Sequence, residues 1–250
     1  MSIINLKPIK ELLTPDIEGY EITYLSNQLL QVAPGKCWDS SETFGLVLSD
    51  AATINFNANG ANGLDVGVKE TNKNYYIFVI GQQTGYSPVA TLLSLSPDNP
   101  VMPVGYDLIR RIGVWRTLPS SAAFMSFIQS GNKARRLYKL NYPVLLLDAG
   151  AETTFTAIDV SGAFPVIDNL EVGLNLSLTP NTAGNAAYVQ PFGADDVSLD
   201  GITGVVAAEV QLGQIKTLAK LDADVPKIEY KVTEATDALN ITASYFIDNI

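Results

Sequence analysis

The sequence predicts an all-β protein: an antiparallel β-sandwich, jelly-roll-like, with few short helices. Three observations carry this. Apolar and polar residues alternate with period 2 in several segments. Other segments are short runs of β-branched and aromatic residues. Turn-forming clusters separate them at fairly regular spacing, whereas long helical patterns between strands are missing, which argues against a βαβ parallel sheet.

Taken in order, residues 1–20 hold two prolines and no strand pattern, and read as an N-terminal arm. Within them, residues 3–13 fit a short helix, with Pro8 in its first turn and Pro15 beyond its end. NANGANG at 57–63 is a turn cluster, and NYYIFVIG at 74–81 a strand. SPDNP at 96–100 is a second turn. Residues 120–129 fit a helix capped by Ser120 or Ser121 and ended by Gly131. Their apolar residues Ala122, Phe124, Met125, Phe127 and Ile128 equally fit a strand.

TTFTAIDV at 153–160 is strand-like. Leu170, Val172, Leu174, Leu176 and Leu178 alternate with Glu171, Gly173, Asn175 and Ser177, so one face is buried and the other wet. TPNTAGN at 179–185 and GADD at 193–196 are turns. Ile228, Tyr230 and Val232 repeat the alternation, as do Ile241, Ala243, Tyr245 and Ile247. The predicted inward set is Leu170, Val172, Leu174, Leu176, Leu178, Ile77, Val79 and Tyr230.

Composition narrows the chemistry. Of 250 residues, 47% are hydrophobic and 17% charged, a globular balance. No apolar run reaches the roughly 20 residues that cross a bilayer, and the N-terminus lacks a signal-peptide pattern. The expectation is therefore a protein made in a cytoplasm, with no membrane insertion. The absence of histidine removes Ser-His-Asp, Cys-His and histidine-zinc arrangements. The single cysteine, Cys37, has no partner for an intrachain disulfide and reads as a buried small hydrophobe.

Charge is uneven. Residues 1–142 hold 12 Lys and Arg against 11 Asp and Glu; residues 143–250 hold 4 against 15. All five arginines lie between Arg110 and Arg136. The composition shift near Asn141, Tyr142 and Pro143 divides the chain into a 1–20 arm, a 21–142 β domain and an acidic 143–250 β part, which can share one core with 21–142. The acidic part repels nucleic acid and anionic surfaces.

Four groups of residues are candidate sites. Asn55, Asn57, Asn59 and Gly60 fall on calcium-loop positions, but Val66 stands where the bidentate Glu belongs, so a tight turn is the expectation. Asp195, Asp196 and Asp200 make an acidic loop, read as solvated. Arg110, Arg111 and Arg116, with Arg135 and Arg136, are read as partners of carboxylates within the subunit or across an interface. Trp115 is placed for a cation–π contact with Arg111 or Arg135. Asp65, Asp107 and Asp159 are carboxylates for which the sequence gives no pairing, so no glycosidase centre is assigned. No cofactor, metal or catalytic residue is expected.

One longer pattern remains. Residues 63–117 read GLDVGVKETNKNYYIFVIGQQTGYSPVATLLSLSPDNPVMPVGYDLIRRIGVWRT. This resembles a segment of virion structural proteins of tailed bacteriophages, of the tail-fibre, head-fibre and decoration type, whose frame runs "GLD-G…YY-Y-I…TGY-P-A-LLS…P-LP-GYD-RRIG-VRT". Residues 239–250, ending SYFIDNI, are similar to the strand and "GY-D-I" that close such proteins. Ser87, Leu118 and Ser244 depart from the relatives' Asn, Asp and Gly, and no binding site is carried over.

The resemblance implies a non-enzymatic virion component that binds other virion proteins and itself, with a trimer as the state suggested by analogy. Ile3, Ile4, Leu6, Ile9, Leu12 and Leu13 of the arm are the expected anchor, together with the arginine region. A host-glycan-binding module is the alternative, and a carboxylate-dependent depolymerase the second.

Overall fold

The computed structural model describes residues 17–84, 88–131, 134–195, 200–203 and 209–250. Among them there is no helix, and nearly all strand pairing is antiparallel. The expected all-β fold of packed antiparallel sheets is what the chain adopts. The helix expected at 3–13 lies outside the described residues. The chain forms two compact units, Met1–Arg136 with Asp248–Ile250, and Leu137–Ile247.

The first unit contains β1 (Glu18–Gly19), β2 (Ile22–Ser26), β3 (Leu29–Val32), β4 (Gly35–Trp38), β5 (Gly45–Leu48), β6 (Ala52–Asn55), β7 (Gly63–Leu64), β8 (Asn74–Gly81), β9 (Ala90–Ser94), β10 (Leu108–Arg116) and β11 (Phe127–Ser130). Three of its sheets have the orders β1-β4-β5, β2-β3-β6 and β10-β8-β9-β7. Among the described strand pairs only β7 on β9 is parallel, beside an isolated parallel bridge between Asn59 and Leu64. Every residue of β8 is buried, so this central strand is covered on both faces. That explains why NYYIFVIG is a continuous apolar run and not an alternating one.

One expectation is corrected here, and one open choice is decided. Residues 17–20 belong to the unit's core, not to an arm without strand structure. Ile17 and Tyr20 are buried, and Glu18 and Gly19 pair with Lys36 and Gly35. A two-residue strand is too short to show a period. Residues 120–129, which fitted helix and strand equally, form no helix, and Phe127–Ser130 is strand β11. Phe124 bridges Thr117, Met125 N donates to Arg116 O, and Phe124 N donates to Asn27 O. Phe124 stacks on Phe56 with ring centroids 4.3 Å apart. These long-range partners satisfy the backbone that a helix would have paired locally.

The second unit holds most of β12 (Arg135–Gly150), then β13 (Thr156–Asp159), β14 (Leu170–Thr179), β15 (Ala186–Pro191), β16 (Asp200–Thr203), β17 (Gln211–Asp222), β18 (Val225–Val232) and most of β19 (Ala238–Asn249). Their order is β12-β19-β14-β17-β18-β15-β16, with β13 also on β18. Strand β17 serves two neighbours. Residues 211–219 run along β14, and residues 220–222 pair with β18.

The predicted inward residues Leu170, Val172, Leu174, Leu176, Leu178 and Tyr230 are all buried here, as Ile77 and Val79 are in the first unit. Each large aliphatic side chain so buried contributes roughly 1.5–3 kcal/mol. Tyr138 stacks on Phe246 at 4.7 Å, and Phe164 meets Phe246 edge-on.

Tyr245 departs from the expected inward row. Gly173 pairs with Tyr245 but Leu174 pairs with Ala243, so Ser244 is an extra residue, a β-bulge. Beyond it Phe246 takes the buried place that Tyr245 was expected to fill, while Ile247 is buried as expected. Tyr245 instead lies over Gly173, where an added Cβ would stand 2.1 Å from its ring.

The chain crosses from the first unit to the second at Arg136/Leu137, and returns at Ile247/Asp248. Both crossings fall inside strands, and β12 continues through Asn141, Tyr142 and Pro143. Pro143 is exposed. Because β11 is only four residues long, most of β12 has one neighbour, an edge setting in which proline is tolerated.

Candidate functional site

The arginines were the first sequence candidates, and most are engaged inside the first unit. Arg111 makes a forked pair with Asp248, Nη1 to Oδ2 at 3.0 Å and Nη2 to Oδ1 at 3.1 Å. Asp248 is fully buried, and burial raises its pKa above the usual carboxylate range against the opposing pull of Arg111 and Arg136. Arg116, also buried, donates to Asn74 Oδ1 at 2.8 Å and Asn72 Oδ1 at 2.6 Å. Arg136 is buried and donates to the carbonyls of Tyr20 and Gly19. Arg110 is half-buried and Arg135 exposed.

Trp115 is not the partner of Arg111. It is buried, its Nε1 donates to Met125 O at 2.8 Å, and its ring meets Phe127 edge-on. Arg111 lies 6.0 Å from the ring of Tyr76 instead. A register shift between Arg111 and Gly113 in the β8–β10 ladder breaks the simple alternation that placed Trp115 beside Arg111. The anchor residues Ile3, Ile4, Leu6, Ile9, Leu12 and Leu13 lie outside the described residues.

The carboxylates hold loops. Asp65 accepts from Ser94 Oγ at 2.6 Å, Val101 N at 3.0 Å and Val66 N at 2.7 Å. Asp107 accepts from Gln83 N at 2.8 Å. Asp159, in the second unit, accepts from Ser161 N at 2.7 Å. At 55–66 the chain makes turns. Asn55 Oδ1 accepts from Asn57 N, Gly60 has φ +90°, and the Lys69 ammonium donates to Asn57 Oδ1 at 2.7 Å. That oxygen already faces a cation belonging to the protein. Among the described residues no cluster of His, Cys, Asp and Glu could hold a metal ion. Asp195 is exposed, and Asp196 lies outside the described residues. Cys37 is buried, and burial pushes its thiol up to about 11.

A feature that the sequence did not announce is the free edge of β5. This strand ends the β1-β4-β5 sheet. Asp39 N donates to Phe44 O at 2.8 Å, so residues 39 and 44 form a hydrogen-bonded pair. The alternation of an antiparallel ladder then turns the backbone groups of Leu46 and Leu48 toward β4, and those of Gly45 and Val47 to the open side. Val47 is 53% exposed.

A groove of about 780 Å³ is lined by β5, residues 49–51, the start of β6, and Val89 and Leu108. The hairpin leading into β5 is held by Asp39. Its carboxylate accepts from Ser41 N and Oγ, Thr43 N and Phe44 N. Burial works to raise the Asp39 pKa, but these hydrogen bonds outweigh it and hold it below the usual range.

A second surface, on the other unit, combines aromatic rings and lysines. Lys231 pairs across the ladder with Tyr188, and its ammonium lies 4.3 Å from the ring centre of Phe155 and 5.7 Å from that of Tyr188. Lys227 lies 5.4 Å from the ring of Phe192 and 2.6 Å from Asp222 Oδ2. Between them Glu229 accepts from Gln190 Nε2 at 2.9 Å. Tyr188, Phe155 and Phe192 are half-buried.

No family model matches the chain, and no curated protein matches it. Among solved structures, an isomalto-dextranase of Arthrobacter globiformis complexed with panose aligns at 13% identity, over 92% of this chain and 36% of that one, with a TM-score of 0.19. The insecticidal crystal protein Cry7Ca1 of Bacillus thuringiensis aligns at 8% identity, over 94% of this chain and 51% of that one, with a TM-score of 0.22. The chain thus spans about a third and about half of these proteins' lengths. Likeness at this level carries no argument about fold or activity.

Proposed function

We propose that the chain is a non-enzymatic structural component of a tailed-phage virion, a fibre, decoration or tail/neck accessory protein, that assembles with itself and with other virion proteins. The observation that carries this reading is the use to which the phage-like residues are put. Arg111 of the RRIG block binds Asp248 of the closing segment, so the two separate stretches of resemblance meet in one ion pair. Asp65, Asp107 and Arg116 of the same frame hold loops and strand ends. Their polar groups serve architecture, which suits a particle part. The protein would be made in the bacterial host cytoplasm and reside in the virion, and a trimer is the state suggested by analogy.

The test is direct. Purified particles from infected cells are analysed by mass spectrometry and by labelling with antibodies to the chain. Regular labelling at one site of the particle is expected. Absence of the chain from particles that are otherwise complete sinks the proposal.

A second reading, a module that binds host glycans, draws on the surface of Phe155, Tyr188 and Phe192 with Lys227 and Lys231, since aromatic faces and cations are what acidic sugars are recognised by. Titration of oligouronates against the protein, with Tyr188→Ala as control, separates the two readings.

A further inference from the structure

The outward face of β18 and its neighbours is laid out in rows. Lys231 stands between Phe155 and Tyr188, 4.3 and 5.7 Å from the two ring centres. Two residues along the strand, about 7 Å away, Glu229 lies between Ala157 and Gln190. One more step brings Lys227, 5.4 Å from the ring of Phe192. We infer that this face takes a glycan with one acidic sugar at its end and neutral sugars behind it, and that Glu229 sets this specificity. The inference deepens the glycan-binding reading and rests on it.

The charges fall in a definite order. In the first row Lys231 is flanked by rings, so a sugar there meets apolar surface for its C–H face and a cation for its carboxylate. The middle row reverses the sign. Gln190 is buried, and its Nε2 donates to Glu229 Oε2 at 2.9 Å and to Ala194 O at 3.0 Å. That tether fixes the Glu229 carboxylate, and the small, exposed Ala157 on its other side leaves room above it. A sugar hydroxyl in that space finds an acceptor. A sugar carboxylate meets a like charge at close range.

The last row is balanced. Lys227 lies between Asp159 and Lys220 across the ladders and is paired with Asp222 at 2.6 Å, so two cations stand with two carboxylates. Phe192 offers a stacking surface there without a surplus of positive charge. A glycan charged on every sugar therefore gains at Lys231, is opposed at Glu229 and gains nothing at Lys227. A fixed repulsive group of this kind separates ligands that attraction alone would bind alike.

Isothermal titration of the full chain tests this with three trisaccharides: one uronic acid on two neutral sugars, three uronic acids, and three neutral sugars. The singly charged probe is expected to bind at least tenfold more tightly than either of the others. Glu229→Gln, which keeps an oxygen for Gln190 to donate to, should close the gap to the triply charged probe. Lys231→Met should erase the preference for the singly charged probe over the neutral one. Both variants change the surface only, and their circular dichroism is expected to match the wild type.

Triply charged binding to the wild type that equals or exceeds singly charged binding overturns the inference. So does a Glu229→Gln protein that discriminates as the wild type does. In either case the glycan reading survives. Binding of none of the three probes, or binding that Tyr188→Ala leaves unchanged, refutes the glycan reading itself and this inference with it.

Discussion

Arg111 and Asp248, 137 residues apart in the chain, are joined by two parallel N–H···O bonds, with the carboxylate wholly removed from solvent. The arginine keeps some exposure, so its loss and the loss of the aspartate are not equivalent. Arg111→Met leaves a buried carboxylate without its principal counter-charge and is expected to cost about 3 kcal/mol at neutral pH. Asp248→Asn leaves a partly solvated guanidinium and should cost less. Urea unfolding of both variants checks the order, and the reverse order would refute it.

Acid should loosen the hairpin that precedes β5. Asp39 has a folded pKa below its unfolded value, so its contribution is complete above the ordinary carboxylate value and is lost as pH falls through the lower folded value. Amide exchange at Thr43 and Phe44, which donate to Asp39, should therefore gain relative protection above that window, compared with Asp39→Asn. Equal pH dependence in the two proteins contradicts the assignment.

Cys37 should be inert in the native protein. With its thiol pushed up to about 11, chiefly by burial, it is protonated near neutrality as well as inaccessible. A thiol reagent at mildly alkaline pH is expected to label it only after denaturant is added. Rapid native labelling would show that the Tyr20 side of the core opens.

Gly173→Ala would place a methyl group within the ring of Tyr245. Tyr245 must swing aside, at an expected cost of about 1–3 kcal/mol. The double variant with Tyr245→Ala should recover part of this, which a double-mutant cycle measures. Full additivity would mean that ring and glycine do not interact.

The sequence disclosed most where one face of a strand is wet. Leu170 to Leu178 could be assigned to the core because polar residues mark their other face. In strand β8 the sequence placed Ile77 and Val79 inside, but both faces are covered, so Tyr76, Phe78 and Ile80 are buried as well. What stayed hidden depends on partners far along the chain. The bulge at Ser244 has no local signature, so Tyr245 was assigned to the wrong side. Phe124 fitted helix and strand alike until Phe56 and Thr117 supplied its neighbours. The β5 edge was equally invisible, because GLVL alternates as any paired strand does, and only the sheet order reveals that one side is open.

The return of Asp248–Ile250 to the first unit, where Ile250 N donates to Ala134 O, also orders events in time. During synthesis these three residues leave the ribosome only after the whole of 137–247. The Arg111–Asp248 pair of the earlier-made unit therefore cannot form until all residues of the later unit have been made. A nascent chain arrested before Asp248 has emerged should lack this pair, however much of the first unit has folded.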